Sequence, residues 1–391
     1  MSELPSSAPV VVIGGGVMGA SAAYHLALRG VRDVVLLESQ RFFGQGATGK
    51  CAGGIRYQFS TAINVRLSQL SLPMLARFEA ETGQAIDLRY PGYLLLATTE
   101  GNVAEFRRNV ALQHSLGVPT EWLSADDVRR RVPQLAAADV LAATYHAGDG
   151  LADPNGVVAG YISAGRRLGV RAYTDAPVTG IEVAPVAGGG ERVVAVQTPL
   201  GRVATEMVVN AAGPWAGVVG QMAGVALPIT PVRRQMLTTS ALPELAADFP
   251  FVIDFARSLY FHREGDGVLT GMSNPGQTPG FDESVDEAWE LTHLEAAVAR
   301  LPLLARAGRR AHWAGLYEVT PDAHPIIGRV AELDGFVVVS GFSGHGFMHG
   351  PIAGLLVSEI ILDGHAHTLD ITQLDNERFA AGRLVREYNV I

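Results

Sequence analysis

The stretch Val10-Val-Val-Ile-Gly-Gly-Gly-Val-Met-Gly-Ala-Ser-Ala-Ala-Tyr-His-Leu-Ala-Leu-Arg-Gly30, followed closely by Asp33-Val-Val-Leu-Leu-Glu38, decides the fold. Its opening run of β-branched residues predicts a buried parallel strand, and the apolar residues after the glycines recur at helical spacing. The predicted order is therefore strand, glycine-rich turn, helix and strand. In that turn Gly14 permits the sharp bend, Gly16 leaves bare backbone for a close approach, and Gly19 allows the helix to pack against the strand.

The end of the second strand indicates what this turn binds. Glu38 follows the turn by roughly 20 residues, where a carboxylate accepts hydrogen bonds from an adenosine ribose. The N–H groups at the helix start would carry the charge of a pyrophosphate. A carboxylate favours a ribose with a free 2′-OH, so the sequence predicts FAD or NAD rather than NADP. The alternative is a βαβ turn with a purely structural role.

Composition excludes several classes of protein. The chain has 391 residues, 48% hydrophobic and 18% charged, which suits two globular domains. Its net charge of −9 argues against nucleic-acid binding. No apolar run reaches the roughly 20 residues of a membrane span, and no basic region precedes the first strand, so we expect a cytoplasmic protein without a membrane segment. The single cysteine excludes an internal disulfide and a multi-cysteine metal site.

Two parts of the chain lack phosphate-binding glycines and are predicted to form a substrate-binding domain, residues 86–149 and 226–317. They interrupt a discontinuous dinucleotide-binding domain made of residues 1–85, 150–225 and 318–391. The predicted fold class is α/β, in an α+β two-domain arrangement: a Rossmann-type domain with an inserted mixed β-sheet domain.

Three further predictions concern individual segments of the chain. The segment from Thr61 to Glu81 is predicted to be a helix with a kink at Pro73. Val203 to Asn210 is predicted to be the last strand of an antiparallel meander. After a third buried strand, the apolar pattern predicts a helix from about Gly350 onward.

Three separated motifs together resemble one protein family. They are the glycine turn with Glu38, Val208-Val-Asn-Ala-Ala-Gly-Pro-Trp-Ala-Gly217, and Gly341-Phe-Ser-Gly-His-Gly-Phe-Met348. In this order they resemble the FAD-dependent D-amino-acid oxidase superfamily, which includes glycine oxidase, sarcosine oxidase (the monomeric enzyme and the β subunit) and the dye-linked proline dehydrogenase β subunit. The resemblance covers nearly the whole chain. It implies FAD extended in the first domain, with the flavin under the mixed sheet of the second.

The resemblance also implies a cofactor cradle. Its predicted members are Gly14, Gly16, Val17, Met18, Gly19, Glu38, Ser39, Gln40, Ala47, Thr48, Lys50, Cys51, Ala52, Gly53, Gly54, Val178, Ala211, Ala212, Gly213, Trp215, Gly315, Gly344, His345, Gly346, Phe347 and Met348. Gly315 stands where monomeric sarcosine oxidase carries the cysteine that tethers its flavin, so the resemblance implies noncovalent FAD. Near Leu269 that enzyme has the lysine that promotes oxygen reduction, and this chain has none there.

The predicted substrate site contains Arg56, Tyr260, Tyr317 and His345. Lys50-Cys-Ala-Gly-Gly-Ile-Arg56 is similar to the segment in which related enzymes hold the substrate carboxylate with an arginine. A planar guanidinium pairs with a carboxylate through two parallel hydrogen bonds. Tyr317 stands where glycine oxidase and D-amino-acid oxidase carry such an arginine, so the resemblance implies that the carboxylate lies on the Arg56 side.

Two alternatives remain for these side chains. If Arg56 belongs to the cofactor cradle or is simply solvated, the carboxylate must be sought among Tyr260, His262, Arg263 and Tyr317. No metal site is expected, because His324, His345 and His349 show no HxH or HExxH spacing.

The function implied is FAD-dependent oxidation of the C–N bond of a secondary amino acid, such as an N-substituted glycine. The imine would then be hydrolysed, and the flavin reoxidised by O2. Alternatives are a β subunit of a dye-linked dehydrogenase that passes electrons to a partner subunit, and a flavin-binding module without turnover. The chain is expected to be a monomer or a homo-oligomer, and its partners are a small amino acid and the electron acceptor.

Overall fold

Residues 3–391 are described by a computed structural model, in which short strands alternate with helices. The helices are α1 (Val17–Leu28), α2 (Ala62–Ala76), α3 (Phe78–Thr82), α4 (Glu100–Ser115), α5 (Ala125–Arg131), α6 (Pro154–Arg167), α7 (Ala216–Met222), α8 (Glu287–Arg300), α9 (Gly346–Leu362) and α10 (Glu377–Ala380). The strands are β1 (Val11–Ile13), β2 (Val35–Leu37), β3 (Gly54–Ile55), β4 (Tyr93–Ala97), β5 (Glu121–Ser124), β6 (Ala142–His146), β7 (Gly150–Leu151), β8 (Arg171–Tyr173), β9 (Gly180–Pro185), β10 (Glu191–Thr198), β11 (Gly201–Ala204), β12 (Val208–Asn210), β13 (Thr230–Thr239), β14 (Phe251–Asp254), β15 (Leu259–Glu264), β16 (Gly267–Met272), β17 (Arg309–Val319), β18 (Ile326–Arg329), β19 (Leu333–Asp334) and β20 (Phe336–Ser340).

The predicted strand, turn, helix and strand form the centre of a six-stranded sheet of order β18-β20-β12-β1-β2-β8. Val12 on β1 lies opposite Val209 on one side and Leu36 on the other, and both pairings are parallel. The central strands are buried, as expected for parallel strands covered on both faces. Only β18 joins antiparallel, at the edge.

Helix α9 packs along α1, and glycines make this approach possible. A Cβ on Gly350 would collide with Val17, and one on Gly354 would collide with Ser21. The helix begins at Gly346, so the prediction that it begins near Gly350 was wrong. Glycine has low helix propensity, which obscured the first turn in the sequence, but packing against α1 outweighs that preference.

A mixed eight-stranded sheet of order β17-β13-β16-β15-β14-β4-β6-β5 forms the second part of the fold. Its pairings are antiparallel except for β14 with β4. The strands of the two sheets follow the predicted domain ranges, apart from the end of β17, which continues to Val319. We propose those ranges as the two domains.

Two local predictions needed correction. The segment 203–210 forms two strands in different sheets, because β11 pairs with β10 whereas β12 pairs with β1 and β20. The helix from residue 62 continues through Pro73 and is interrupted at Arg77 instead. The buried side chains of Leu72 and Leu75 hold the helix in place across the proline.

Within residues 3–391, the helices include none that is both long and apolar enough to cross a membrane.

Candidate active site

One cavity of about 660 Å³ extends from the start of α1 to the eight-stranded sheet. All predicted cradle residues line it except Gly19 and Ala211, which lie behind the turn. A Cβ on Gly19 would collide with the carbonyl oxygen of Gly14, and one on Gly14 would collide with that of Ala211. These two residues shape the turn through close backbone packing, and their place in the cradle stays a prediction.

Glu38 is held at the start of the cavity by backbone N–H groups. Its carboxylate accepts hydrogen bonds from the N–H groups of Gly15 and Gln40, each at 2.7 Å. Gly14 has a φ of +107°, a left-handed backbone conformation that favours glycine. The hydroxyl of Thr48 accepts a hydrogen bond from Val17 N–H at 3.2 Å. A carboxylate beside a bare glycine turn suits a ribose followed by a pyrophosphate.

Lys50, the sole lysine of the chain, lines the cavity. Its Nζ lies 2.8 Å from a carboxylate oxygen of Glu283. A Cβ on Gly315 would lie 2.9 Å from the Cβ of Lys50, so the lysine stem fills the space that a side chain at 315 would need. Burial raises the pKa of the Cys51 thiol to about 11, so this cavity-lining cysteine stays protonated.

Arg56 lines the cavity and is 6% exposed. Its guanidinium donates hydrogen bonds to the carbonyl oxygens of Gln58 and Asn389 and lies 4.0 Å from the centroid of the Phe59 ring. Because a guanidinium has five N–H groups, further donors remain for a ligand. Its role as carboxylate partner stays a prediction.

The chain segment that Arg56 contacts was missed in the sequence. Glu387 is fully buried and accepts hydrogen bonds from the hydroxyl of Thr61 at 2.6 Å and the amide of Asn64 at 3.0 Å. Burial opposes ionisation of Glu387, but hydrogen bonds from Ser60 and Thr61 lower its pKa. These contacts place Val390 and Ile391 in the cavity wall. The segment contains polar residues, but no pattern in its sequence predicts that it forms part of the cavity wall.

Arg234 is the second guanidinium of the cavity and was also missed. It lies on β13 opposite Gly315 of β17, and its guanidinium carbon is 5.0 Å from the centroid of the Tyr317 ring. Met236, two residues further along the strand, lines the same cavity. The spacing of Arg234 and Met236 was the sequence signal that could have identified this residue, because residues i and i+2 of a strand share one face.

Tyr260 and Tyr317 line the cavity as predicted, whereas the other two alternatives lie elsewhere. His262 stacks on Phe251 with ring centroids 4.9 Å apart, and Arg263 donates to the carbonyl oxygens of Gly265 and Leu245. Burial raises the pKa of both tyrosines, so they remain neutral phenols.

His345 lines the cavity immediately before α9. Its Nε2 lies 3.0 Å from the carbonyl oxygen of Ala323 and therefore carries the proton, since a carbonyl only accepts. Within the part of the chain that the structure describes, Nδ1 has no partner. Burial lowers the pKa of His345 to about 3, so the imidazole is neutral.

Glu318, a further residue that the sequence did not single out, is a buried carboxyl in the cavity wall. Its Oε1 accepts a hydrogen bond from Phe342 N–H at 3.3 Å, and Oε2 has no hydrogen-bond partner among residues 3–391. Burial raises the pKa of Glu318 to about 7.

The start of α9 completes the cavity wall. Gly344 has a φ of +99°, and a Cβ there would collide with the Tyr317 ring. The first helical residues, Gly346 to Met348, line the cavity, and N–H groups in the first turn of a helix attract negative charge. The cavity is thus lined by two glycine turns, by a carboxylate that can bind a ribose, and by the start of α9. These features fit an extended FAD.

Comparison with known proteins agrees with this assignment. The sequence pattern of the DAO family, described as FAD dependent oxidoreductase, matches residues 9–360. Mitochondrial dimethylglycine dehydrogenase of Mus musculus is 33% identical over 398 residues, 96% of this chain and 45% of that protein. Mitochondrial sarcosine dehydrogenase of Homo sapiens is 32% identical over 400 residues, 98% of this chain and 43% of that protein. The chain thus spans less than half the length of these curated relatives.

A solved structure shares the whole fold. L-proline dehydrogenase from P. horikoshii matches with a TM-score of 0.90 at 31% identity, over 98% of this chain and 100% of that one. The predicted superfamily, the predicted fold class and the dependence on FAD are therefore confirmed. The chain is an oxidoreductase that belongs to the DAO family of FAD dependent oxidoreductases.

Proposed function

We propose that the protein oxidises the C–N bond of a secondary amino acid, such as an N-substituted glycine. The observation that carries the proposal is a single cavity that joins the glycine turn at Glu38 to a chamber lined by Arg56, Arg234, Tyr260 and Tyr317. A guanidinium among neutral phenols suits a small carboxylate substrate. The relatives named for sarcosine, dimethylglycine and proline support an N-alkylated amino acid over a primary one.

The reaction removes a hydride from the α-carbon and a proton from the nitrogen, so the C–N single bond becomes the C=N bond of an imine. Water then adds to the imine and releases an amine and an aldehyde, which is glyoxylate when the substrate is an N-substituted glycine. Bound FAD supplies the acceptor for the hydride. With O2 as the final acceptor, the two electrons and two protons leave as hydrogen peroxide.

The proposed roles of the side chains are to bind the cofactor and to orient the substrate. Glu38 is expected to hold the ribose, and the N–H groups at the start of α9 to stabilise negative charge that develops near them. Arg56 is proposed to orient the substrate carboxylate. Neutral Tyr260, Tyr317 and His345 offer no strong base to deprotonate the substrate amine.

The FAD is proposed to be noncovalent. Gly315 has no side chain to form a bond, and the Lys50 stem fills the space beside it. Cys51 stays a protonated thiol because burial raises its pKa, which disfavours its use as a nucleophile.

Anaerobic mixing of the purified holoenzyme with sarcosine, proline and glycine tests the function. We expect the N-alkylated amino acids to bleach the flavin absorbance and glycine to do so far more slowly. Admission of O2 then separates the acceptors, because an oxidase regains its colour within turnover time whereas a subunit that needs a partner stays bleached. A flavin that none of these compounds reduces would contradict the proposed function.

A further inference from the structure

Arg234 is a half-buried cation with no anionic partner among residues 3–391. Its NH1 donates to the carbonyl oxygen of Arg233 at 3.1 Å, and in the described chain its Nε is buried with no hydrogen-bond partner. The cavity side chains nearest to its charge are the neutral phenols of Tyr317 and Tyr260. Burying an arginine in this way is costly unless an anion arrives to pair with it.

Two fully buried arginines of the protein are each paired with a carboxylate. Arg300 lies 2.7 Å from a carboxylate oxygen of Asp254, and Arg378 lies 2.8 Å from one of Asp322. Arg56 is held by carbonyl oxygens, and the ionised carboxylate of Glu387 acts on its charge. Within residues 3–391, Arg234 is therefore the chamber arginine on which no carboxylate acts.

The position of Arg234 suits a ligand in the chamber rather than the phosphates of the cofactor. It lies on the eight-stranded sheet beside Tyr317, whereas the phosphate-type turn lies at the start of α1 in the other sheet. It also lines a second cavity of about 380 Å³, which shares Tyr317, Val390 and Ile391 with the first. The guanidinium therefore lies in the wall between the two cavities.

We propose that Arg234 binds a carboxylate of the substrate, in addition to any contact made by Arg56. This inference rests on the proposed function, because it takes the ligand of the chamber to be an amino acid. The carboxylate has two possible sources: the α-carboxylate, shared by the two arginines, or a second carboxylate on the nitrogen substituent.

Binding of unreactive carboxylates to the holoenzyme tests the proposal. Acetate and malonate are titrated against the flavin absorbance spectrum and by calorimetry, in the unaltered protein, Arg234→Met and Arg234→Lys. Arg263→Met is the matched control, since Arg263 lies on the same sheet but bonds carbonyl oxygens outside the cavity. Flavin content and thermal midpoint are measured for each variant, so a folding defect is separated from lost binding.

Arg234→Met is expected to weaken carboxylate binding about 10- to 100-fold. Arg234→Lys should recover part of the affinity, because an ammonium keeps the charge without the planar fork. Arg263→Met should stay within about twofold of the unaltered protein. If Arg234→Met weakens the binding of both acetate and malonate, Arg234 holds the α-carboxylate. If it weakens the binding of malonate alone, Arg234 holds a second carboxylate.

Unchanged affinities in both Arg234 variants, or no carboxylate binding to the unaltered holoenzyme, would overturn the proposal. The titrations do not require turnover, so they stand even if no amino acid reduces the flavin. That result would contradict the proposed function alone.

Discussion

Glu318→Gln is expected to change how the stability of the protein depends on pH. The Glu318 side chain is buried in the cavity wall, and the Phe342 N–H is the donor that reaches its Oε1. Glutamine keeps the shape of the side chain and its acceptor oxygen but cannot ionise. The substitution therefore isolates the cost of charging this one buried group.

The sign follows from proton binding. Burial raises the pKa of Glu318 from 4.5 to about 7, so the folded state holds the proton more tightly than the unfolded chain does. The group costs nothing while both states are protonated, below pH 4.5, and the cost grows as the pH rises toward 7. At roughly 1.4 kcal/mol per pKa unit, ionisation lowers the free energy of unfolding by about 3 kcal/mol near pH 8.5 and by less than about 1 kcal/mol at pH 5.

Urea unfolding of the flavin-free protein at pH 5 and pH 8.5, followed by circular dichroism, measures this difference. From pH 5 to pH 8.5, we expect the free energy of unfolding of Glu318→Gln to rise by about 2 kcal/mol relative to that of the unaltered protein. Glu332→Gln, at an exposed glutamate, is the control and should show no such gain. If Glu318→Gln and the unaltered protein lose stability in parallel as the pH rises, the carboxyl does not titrate as the structure implies.

Three further predictions concern the cofactor and the substrate. Acid precipitation should release all of the flavin as free FAD, and yellow colour left in the pellet would contradict the role given to Gly315. Glu38→Gln should raise the Kd for FAD about tenfold or more with an unchanged circular dichroism spectrum, because one charge-assisted hydrogen-bonding group is lost; an unchanged Kd would mean that the ribose is held elsewhere. Arg56→Ala should lower the efficiency of anaerobic flavin reduction several-hundred-fold, since an unpaired buried carboxylate costs about 3–5 kcal/mol, and Arg56→Lys should recover part of it. Loss of FAD together with activity in both Arg56 variants would instead place that residue in the cofactor cradle.

Short-range signals in the sequence determined much of the fold. The helix beginning at Pro154 has its N-cap at Asp153, as the Asp-Pro-Asn-Gly sequence predicts, and the Ser124 capping box precedes α5. The glycine turn between β1 and α1, with Glu38 after β2, was predicted for the same reason. Each of these signals depends on residues a few positions apart, or on one βαβ unit, whose geometry is almost independent of the rest of the chain.

The tertiary structure alone decided which side chains face the chamber. Arg56 meets Asn389 across 333 positions of sequence, and Arg234 comes to face Tyr317 only because β13 and β17 pair in one particular register. The early start of α9 likewise depends on its contact with α1. The sequence alone does not reveal these contacts, because they are set by how distant elements pack and by which buried charges find partners there.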